Sequence, residues 1–316
     1  MRVILVHGGV GVKPTPERQA VLRESALTGY QALECGLLDA VEGAVRVLED
    51  SPLFNAGYGS ELNLDGEVEM DAAIIDGYKG RFGAVAAIKG VTNPVSVARR
   101  VLEDSPHVLL AGDGATRFAR KMGFPEANCV APERRDDWLA ARWGQERLPS
   151  GIDTPASPFF GLSPTQGQAG GQAPDCQIGC DTVGCVAVAD GKTAAASSTG
   201  GWFMKWPGRV GDTPVLGGGI FASRRGAVVA SGLGEVFIET LAAKLVDELL
   251  EKGLPPQEAA AEVIRRLGRR EQGFGGVVVA SVDGRVGAAH NTASFPVCLI
   301  IDGKVVEEFE AVKVDS

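Results

Sequence analysis

The chain has 316 residues, 45% apolar and 22% charged, enough to bury a large core in one α/β domain or two. A formal net charge of −9, with no basic cluster interleaved with aromatics, argues against a nucleic-acid or anionic-membrane surface. No apolar run approaches the roughly 20 residues that span a bilayer. The opening MRVILVHGG is too short for a secretory signal and is expected to be a first strand, so a cytoplasmic location is expected. The six cysteines (Cys35, Cys129, Cys176, Cys180, Cys185 and Cys298) are sparse and expected to be reduced. Cys176, Cys180 and Cys185 cluster, but without C-x2-C spacing or a nearby His, so no zinc site is expected there.

In chain order, RVILVH reads as a strand, and Pro16 to Asp50 carries helical periodicity interrupted at Gly36. EVEMDAAIID and GAVAAIKG read as paired strands around Asp76-Gly77. PVSVARRVLED reads as a short helix opening at Pro94, and HVLLAGDGA as a return to strand. From about Glu133 the periodicity dissolves into a segment rich in Pro, Gly, Ser and Gln, which predicts a flexible linker over about 133–181. Beyond it, TVGCVAVADGKTAAASST predicts a hairpin about Asp190-Gly191. Phe237, Leu241, Leu245 and Leu249 form an i+4 stripe on one helix stopped at Gly253-Leu254-Pro255. GGVVVASVDGRVGAAHN and VCLIIDGKVVEEF read as two more hairpins with Asp-Gly turns. Strands in hairpins and helices in separate pairs predict antiparallel sheets covered by helices, not a doubly wound parallel sheet. The hairpin at Thr182 is too apolar to be the edge of an independent unit, so one domain interrupted by a loop is expected.

The join at Asp181-Thr182 carries a chemical possibility. A threonine hydroxyl is a weak nucleophile without a base, and cleaving the preceding peptide bond makes the residue's own amine that base. An α-amine titrates at about 7.7–8.0, within reach of neutral pH. This chemistry needs a cleavable segment before the threonine and a rigid strand after it. Pro149 to Asp181 and TVGCVAV supply the two. The plain alternative is a β-branched residue opening a strand.

Thr182-Val183-Gly184, STGG from Ser198 and GRVGDTP from Gly208 resemble the plant-type asparaginase / isoaspartyl peptidase family of N-terminal nucleophile hydrolases. So do HGG at His7, FNAGYGS at Phe54, VEMDAAIIDG at Val68 and GLGEVF at Gly232. The motifs fall in order from the first strand into the last third of the chain. The resemblance implies an α+β fold, a four-layer αββα sandwich of the N-terminal nucleophile hydrolase type. It also implies self-cleavage between Asp181 and Thr182 into subunits 1–181 and 182–316, assembled as a dimer of such heterodimers.

Carried over residue by residue, the resemblance makes Thr182 the nucleophile and places the Thr199 hydroxyl against it. Arg209 and Asp212 grip the substrate's α-carboxylate and α-ammonium, with Gly232 and Gly234 at the same site. A guanidinium fork suits a carboxylate and an Asp suits an ammonium. Ser231, by its hydroxyl, and Gly232, by its backbone N–H, form the oxyanion hole. Asn55 supports the oxyanion region or the nucleophile. Ser231 departs from the family's usual Thr, Met204 from an Asn and Cys185 from an Ala. LEDSPLFNAGY resembles a sodium-binding loop, in which the backbone carbonyls of Leu48, Glu49, Ser51, Phe54, Ala56 and Tyr58 hold the ion. No cofactor is expected for catalysis. Trp202, Phe203 and Trp206 crowd the loop and either shape the substrate's leaving-group side or pack the core.

The expected reaction is hydrolysis of asparagine or of β-aspartyl dipeptides through an aspartyl ester on Thr182. Glycosylasparagine hydrolysis and cleavage of proteins after aspartate are sister activities on the same scaffold. A phosphate- or nucleotide-binding module is the alternative of another class, suggested by the glycine-rich turn of VILVHGGVGVK. That stretch matches neither G-x-x-x-x-G-K-[ST] nor G-x-G-x-x-G. An inactive scaffold is the third reading, and the hydroxyl at position 182 argues against it.

Overall fold

The computed structural model describes residues 1–143 and 182–315. Strand β1 (Val3–His7) leads into helices α1 (Pro16–Ala32) and α2 (Leu37–Glu49) and a 3-10 turn at Gly57–Gly59. Then come β2 (Met70–Asp76), β3 (Arg81–Ile88), α3 (Pro94–Asp104), β4 (Leu109–Ala111), α4 (Gly112–Lys121) and α5 (Pro132–Trp143). The second described stretch holds β5 (Val183–Ala189), β6 (Lys192–Thr199), β7 (Ile220–Ala222) and β8 (Gly226–Gly232). It continues with α6 (Gly234–Thr240), α7 (Ala242–Glu251), α8 (Pro256–Gly268), β9 (Gly275–Ser281), β10 (Val286–His290), β11 (Val297–Ile301), β12 (Lys304–Val305) and β13 (Val312–Lys313).

The strands form two sheets, ordered β12-β11-β1-β5-β6-β2-β3-β4 and β13-β10-β9-β8-β7. Neighbours run antiparallel except β3–β4 and β10–β13, which are parallel. The predicted hairpins are present. Asp190-Gly191 and Asp302-Gly303 both take positive φ (51° and 70°, 47° and 82°), the two-residue turn whose twist matches its strands.

Alternate residues of one strand point to opposite faces of its sheet, and here the faces enter different cores. Ile4 and Val6 of β1, with Ile74 of β2 and Ala187 of β5, pack beneath α1 to α4. Val3 and Leu5 of β1, with Ile75 and Val186, meet Val229, Val278 and Ala288 of the second sheet. Val228 and Val279, on that sheet's far face, pack on Val246, Val263 and Ile264 of α7 and α8. The layers therefore run helices, sheet, sheet, helices. That covering explains why antiparallel strands such as β5, β8 and β9 are buried along their whole length.

Three expectations need correction. The flexible linker does not begin near Glu133, because α5 occupies Pro132–Trp143; the remainder, 144–181, lies outside the described residues. Pro132 opens that helix, and its side chains tie it down. Trp138 Nε1 donates to Asn63 O at 2.9 Å, and Arg134 pairs with Glu61 at 2.5 Å and donates to Gly59 O at 3.0 Å. The stripe from Phe237 to Leu249 is not one helix. Leu241 turns left-handed (φ 49°) between α6 and α7 and is half exposed, while Phe237 and Leu249 stay buried. The third concerns HVLLAGDGA: β4 is three residues long and parallel to β3, and Gly112 already belongs to α4.

Candidate active site

Thr182 stands at the head of β5, between β1 and β6 in the larger sheet. Val183 pairs with Ser198, which brings Thr182 and Thr199 to the same end of adjacent strands. Both are buried, and the Thr199 hydroxyl accepts a hydrogen bond from Gly201 N–H at 3.0 Å. That bond fixes the turn by which the chain leaves β6.

A small cavity opens on these threonines, and Trp202, Arg209, Asp212 and Gly232 complete its wall with the backbone of Gly201 and Gly211. Arg209 is aimed by two partners. Its Nε and Nη2 donate to the two carboxylate oxygens of Glu235 at 3.0 and 2.9 Å, and its guanidinium lies 4.6 Å above the centre of the Trp202 ring. Asp212 is held by its backbone, whose carbonyl accepts from Val215 and Gly219 N–H at 2.9 and 3.1 Å. Its Oδ2 is buried without a hydrogen-bond partner. Burial pushes its carboxyl up to about 7, and the Arg209 guanidinium pulls the other way. A largely buried cation beside a carboxylate with an open oxygen can receive a group that carries both charges. Gly234 opens α6 against this pair: a Cβ there would lie 2.9 Å from both Arg209 Nη2 and Asp212 Oδ1.

Gly232 lines the cavity, whereas Ser231 and Asn55 are buried against its wall. Ser231 Oγ accepts from Val10 N–H at 3.2 Å. Asn55 Nδ2 donates to Gly201 O at 2.7 Å and its Oδ1 accepts from Glu61 N–H at 2.9 Å, so it braces the cavity's backbone. His7 is fully buried beside Gly184, and neither ring nitrogen closes a hydrogen bond of good geometry. Burial holds its pKa down to about 3, against the pull of the Thr182 backbone, so the ring is neutral.

The stretch from Leu48 to Tyr58 runs from the last turn of α2 into the 3-10 turn, and none of its residues lines the cavity. A Cβ at Gly57 would strike the Glu49 carbonyl, and one at Gly59 would meet those of Phe54, Pro52 and Ser51, so several carbonyl oxygens converge here. The carbonyls of Leu48 and Ala56 already accept from Ser51 and Gly59 N–H. Uncharged oxygens gathered this way suit a hard cation of low charge. Among the described residues no group of three or more His, Cys, Asp or Glu could hold a metal ion. Cys176 and Cys180 of the cysteine cluster lie outside them, while Cys185 is free and buried.

Sequence reasoning passed over Glu235, Glu69, Asp71 and Lys205. Glu69, Asp71 and Lys205 are buried; the two carboxylates accept from the loop that carries Arg209 and Asp212, and Lys205, within that loop, donates back to Glu69 O. Charged residues inside the otherwise apolar run VEMDAAIID were the available signal.

The fold is α+β, and comparison with known proteins makes the chain a hydrolase. The family model for asparaginase matches residues 1–307, and the chain belongs to that family. It is 43% identical over 310 residues to a plant-type L-asparaginase of Pyrococcus furiosus, covering 96% of this chain and 97% of that one. A plant-type L-asparaginase of Thermococcus kodakarensis is 40% identical over 312 residues, covering 96% and 97%. An isoaspartyl peptidase/L-asparaginase of Danio rerio is 41% identical over 292 residues, covering 89% and 86%.

Proposed function

We propose that this chain hydrolyses the side-chain amide of L-asparagine and the isopeptide bond of β-aspartyl dipeptides. Thr182 is the nucleophile, freed by cleavage of the Asp181–Thr182 bond. The observation that carries the reading is one cavity that joins Thr182 and Thr199 to Arg209 and Asp212. The relatives' names point the same way.

In this reading Arg209 takes the substrate's α-carboxylate and Asp212 its α-ammonium, which leaves the β-carbonyl at the Thr182 hydroxyl. The freed α-amine accepts the hydroxyl proton as Oγ bonds to the carbonyl carbon, and passes it to the departing ammonia or amine. Water then attacks the aspartyl ester, giving its proton to the same amine, and Oγ leaves with a proton restored. Gly232 N–H and the Ser231 hydroxyl face the developing oxyanion in both halves. Thr199 orients the nucleophile, and Asn55 keeps the Gly201 turn in place.

The rest of the reading follows the family resemblance. The layers form a sandwich of the N-terminal nucleophile hydrolase type, and the halves 1–181 and 182–316 assemble as a dimer of heterodimers. Carbonyls of the Leu48–Tyr58 loop hold a structural sodium ion that takes no part in the chemistry. The protein works in the cytoplasm, consistent with the free thiols of Cys35, Cys129, Cys185 and Cys298.

The test is intact mass under denaturing conditions after incubation at neutral pH, for the parent chain and Thr182→Ala. Two fragments divided between Asp181 and Thr182, with the variant whole, are expected. Ammonia release from asparagine and cleavage of a β-aspartyl dipeptide should then accompany the cut protein alone. A parent chain that stays uncut, or a cut chain inert on both substrates, overturns the reading.

A further inference from the structure

The loop bearing Arg209 and Asp212 contains no helix or strand between Gly200 and Ile220, only turns and the isolated Leu216–Ile220 bridge. Something else must hold two charged side chains in register there. Two buried carboxylates at the start of β2 do so. Glu69 Oε2 accepts from Gly208 N–H at 2.7 Å, and Asp71 Oδ2 accepts from Gly211 N–H at 3.0 Å. The acceptors stand two residues apart, on one face of an extended chain. Their donors are the residues immediately preceding Arg209 and Asp212. Lys205, itself buried, donates from Nζ to Glu69 O at 2.8 Å and supplies positive charge to the same pair.

Asp71 is anchored at its other oxygen. The β2–β3 register shifts between Met70 and Ala72, so Ala86 and Ala87 oppose Asp71 in a β-bulge. Ala87 takes positive φ (47°), and its N–H donates to Asp71 Oδ1 at 2.8 Å. On its other side Asp71 is the cross-strand partner of Thr199. One carboxylate thus links the bulge, the strand end that carries Thr199 and the loop that carries Arg209 and Asp212.

We propose that Asp71 and Glu69 are positioning residues for substrate recognition: they clamp Gly211 and Gly208 so that Arg209 and Asp212 face the cavity together. The proposal rests on the reading that these two residues take the substrate's zwitterion. Asparagine in place of Asp71 cannot serve both N–H groups, because it offers one acceptor and sets an amide N–H against the other donor. Glutamine in place of Glu69 can keep its oxygen on Gly208; its amide then faces Lys89, 3.3 Å from Glu69 Oε1, but that side chain is partly exposed and already paired with Glu67, so it can turn away as the backbone N–H of Ala87 cannot. The two conservative changes therefore have different effects.

The experiment is steady-state kinetics on asparagine with the mature protein carrying Asp71→Asn, Glu69→Ala, Glu69→Gln, Arg209→Ala, or Asp71→Asn with Arg209→Ala. Asp71→Asn is expected to raise KM about tenfold with kcat nearly unchanged, the effect of losing one buried hydrogen bond in a binding loop. Glu69→Ala is expected to do likewise and Glu69→Gln to restore KM. In the Arg209→Ala background, Asp71→Asn should add less than about twofold, since both changes act on one interaction. An unchanged KM in Asp71→Asn, or full additivity with Arg209→Ala, overturns the clamp. Should Asp71→Asn fail to fold or to cleave, the Glu69→Ala and Glu69→Gln pair carries the same test, and equal KM values for the two overturn the clamp. An unchanged KM in Arg209→Ala instead overturns the recognition reading itself.

Discussion

The hydroxyl of Ser231, at the end of β8, accepts a hydrogen bond from the backbone N–H of Val10, in the loop that follows β1. The bond joins the two sheets at the end where Thr182 sits. It also restricts a side chain that lacks the methyl by which threonine limits its own rotamers. Ser231→Ala removes an oxyanion donor in the proposed mechanism and leaves a buried N–H without its acceptor. A fall in kcat of about 10²–10³ is expected, along with a lower melting temperature. Ser231→Thr, which keeps the hydroxyl, should retain far more activity. Equal loss in both variants would tie the defect to packing instead of to the hydroxyl.

Gly234 is required for space and not for conformation. A methyl there meets Arg209 Nη2 and Asp212 Oδ1 at 2.9 Å and Asp212 N at 3.0 Å. If Arg209 and Asp212 bind substrate as proposed, Gly234→Ala is expected to raise KM by about tenfold or more as the two are pushed apart, at the ordinary cost of overpacking. Kinetics on asparagine, beside a circular dichroism spectrum matching the parent, checks this.

In the proposed function Asp212 sets an acid limit on binding. Burial raises its carboxyl to about 7, against the pull of Arg209. Below that pH it carries a proton and loses its attraction for an α-ammonium, so KM should rise as pH falls through 7 and level off above it. For stability the sign is the reverse. The folded chain binds this proton more tightly than the unfolded one, whose Asp titrates near about 4. Stability present below about 4 is lost as pH rises to 7, so Asp212→Asn should gain on the parent in melts at pH 8 relative to pH 4. A flat KM profile from pH 5 to 8 contradicts the assigned role.

Leu241 carries a local strain that nothing in the site uses. It is left-handed at φ 49°, ψ 48° and 50% exposed, at the break between α6 and α7. Leu241→Gly should stabilise the protein by about 0.5–1 kcal/mol, because glycine adopts this conformation freely. A denaturant midpoint that moves upward at constant slope, with kinetics unchanged, is the expected result.

The break at Leu241 also shows where sequence reading stopped. Phe237, Leu241, Leu245 and Leu249 keep perfect i+4 spacing, yet Gly217 and Gly218 carbonyls take the N–H groups of Lys244 and Ala243, and the helix restarts there. Such bonds join residues far apart in sequence, so no periodicity reports them. Similarly, α5 was hidden by its polar composition. It is held by Trp138 and Arg134 reaching carbonyls of Gly59 and Asn63, over 70 residues away.

By itself the sequence determined the hairpins, since Asp-Gly turns and alternating apolar residues are local, and it marked Thr182, Thr199, Arg209 and Asp212 through motifs that kept their order along the chain. Only the tertiary structure decided that these four share one cavity, and that Ser231 and Asn55 are buried against its wall. It also decided that Glu69 and Asp71, unremarkable in a strand sequence, hydrogen-bond the loop that carries Arg209 and Asp212. A buried carboxylate is recognised by the N–H groups it satisfies, and those come from a loop about 140 residues further along the chain.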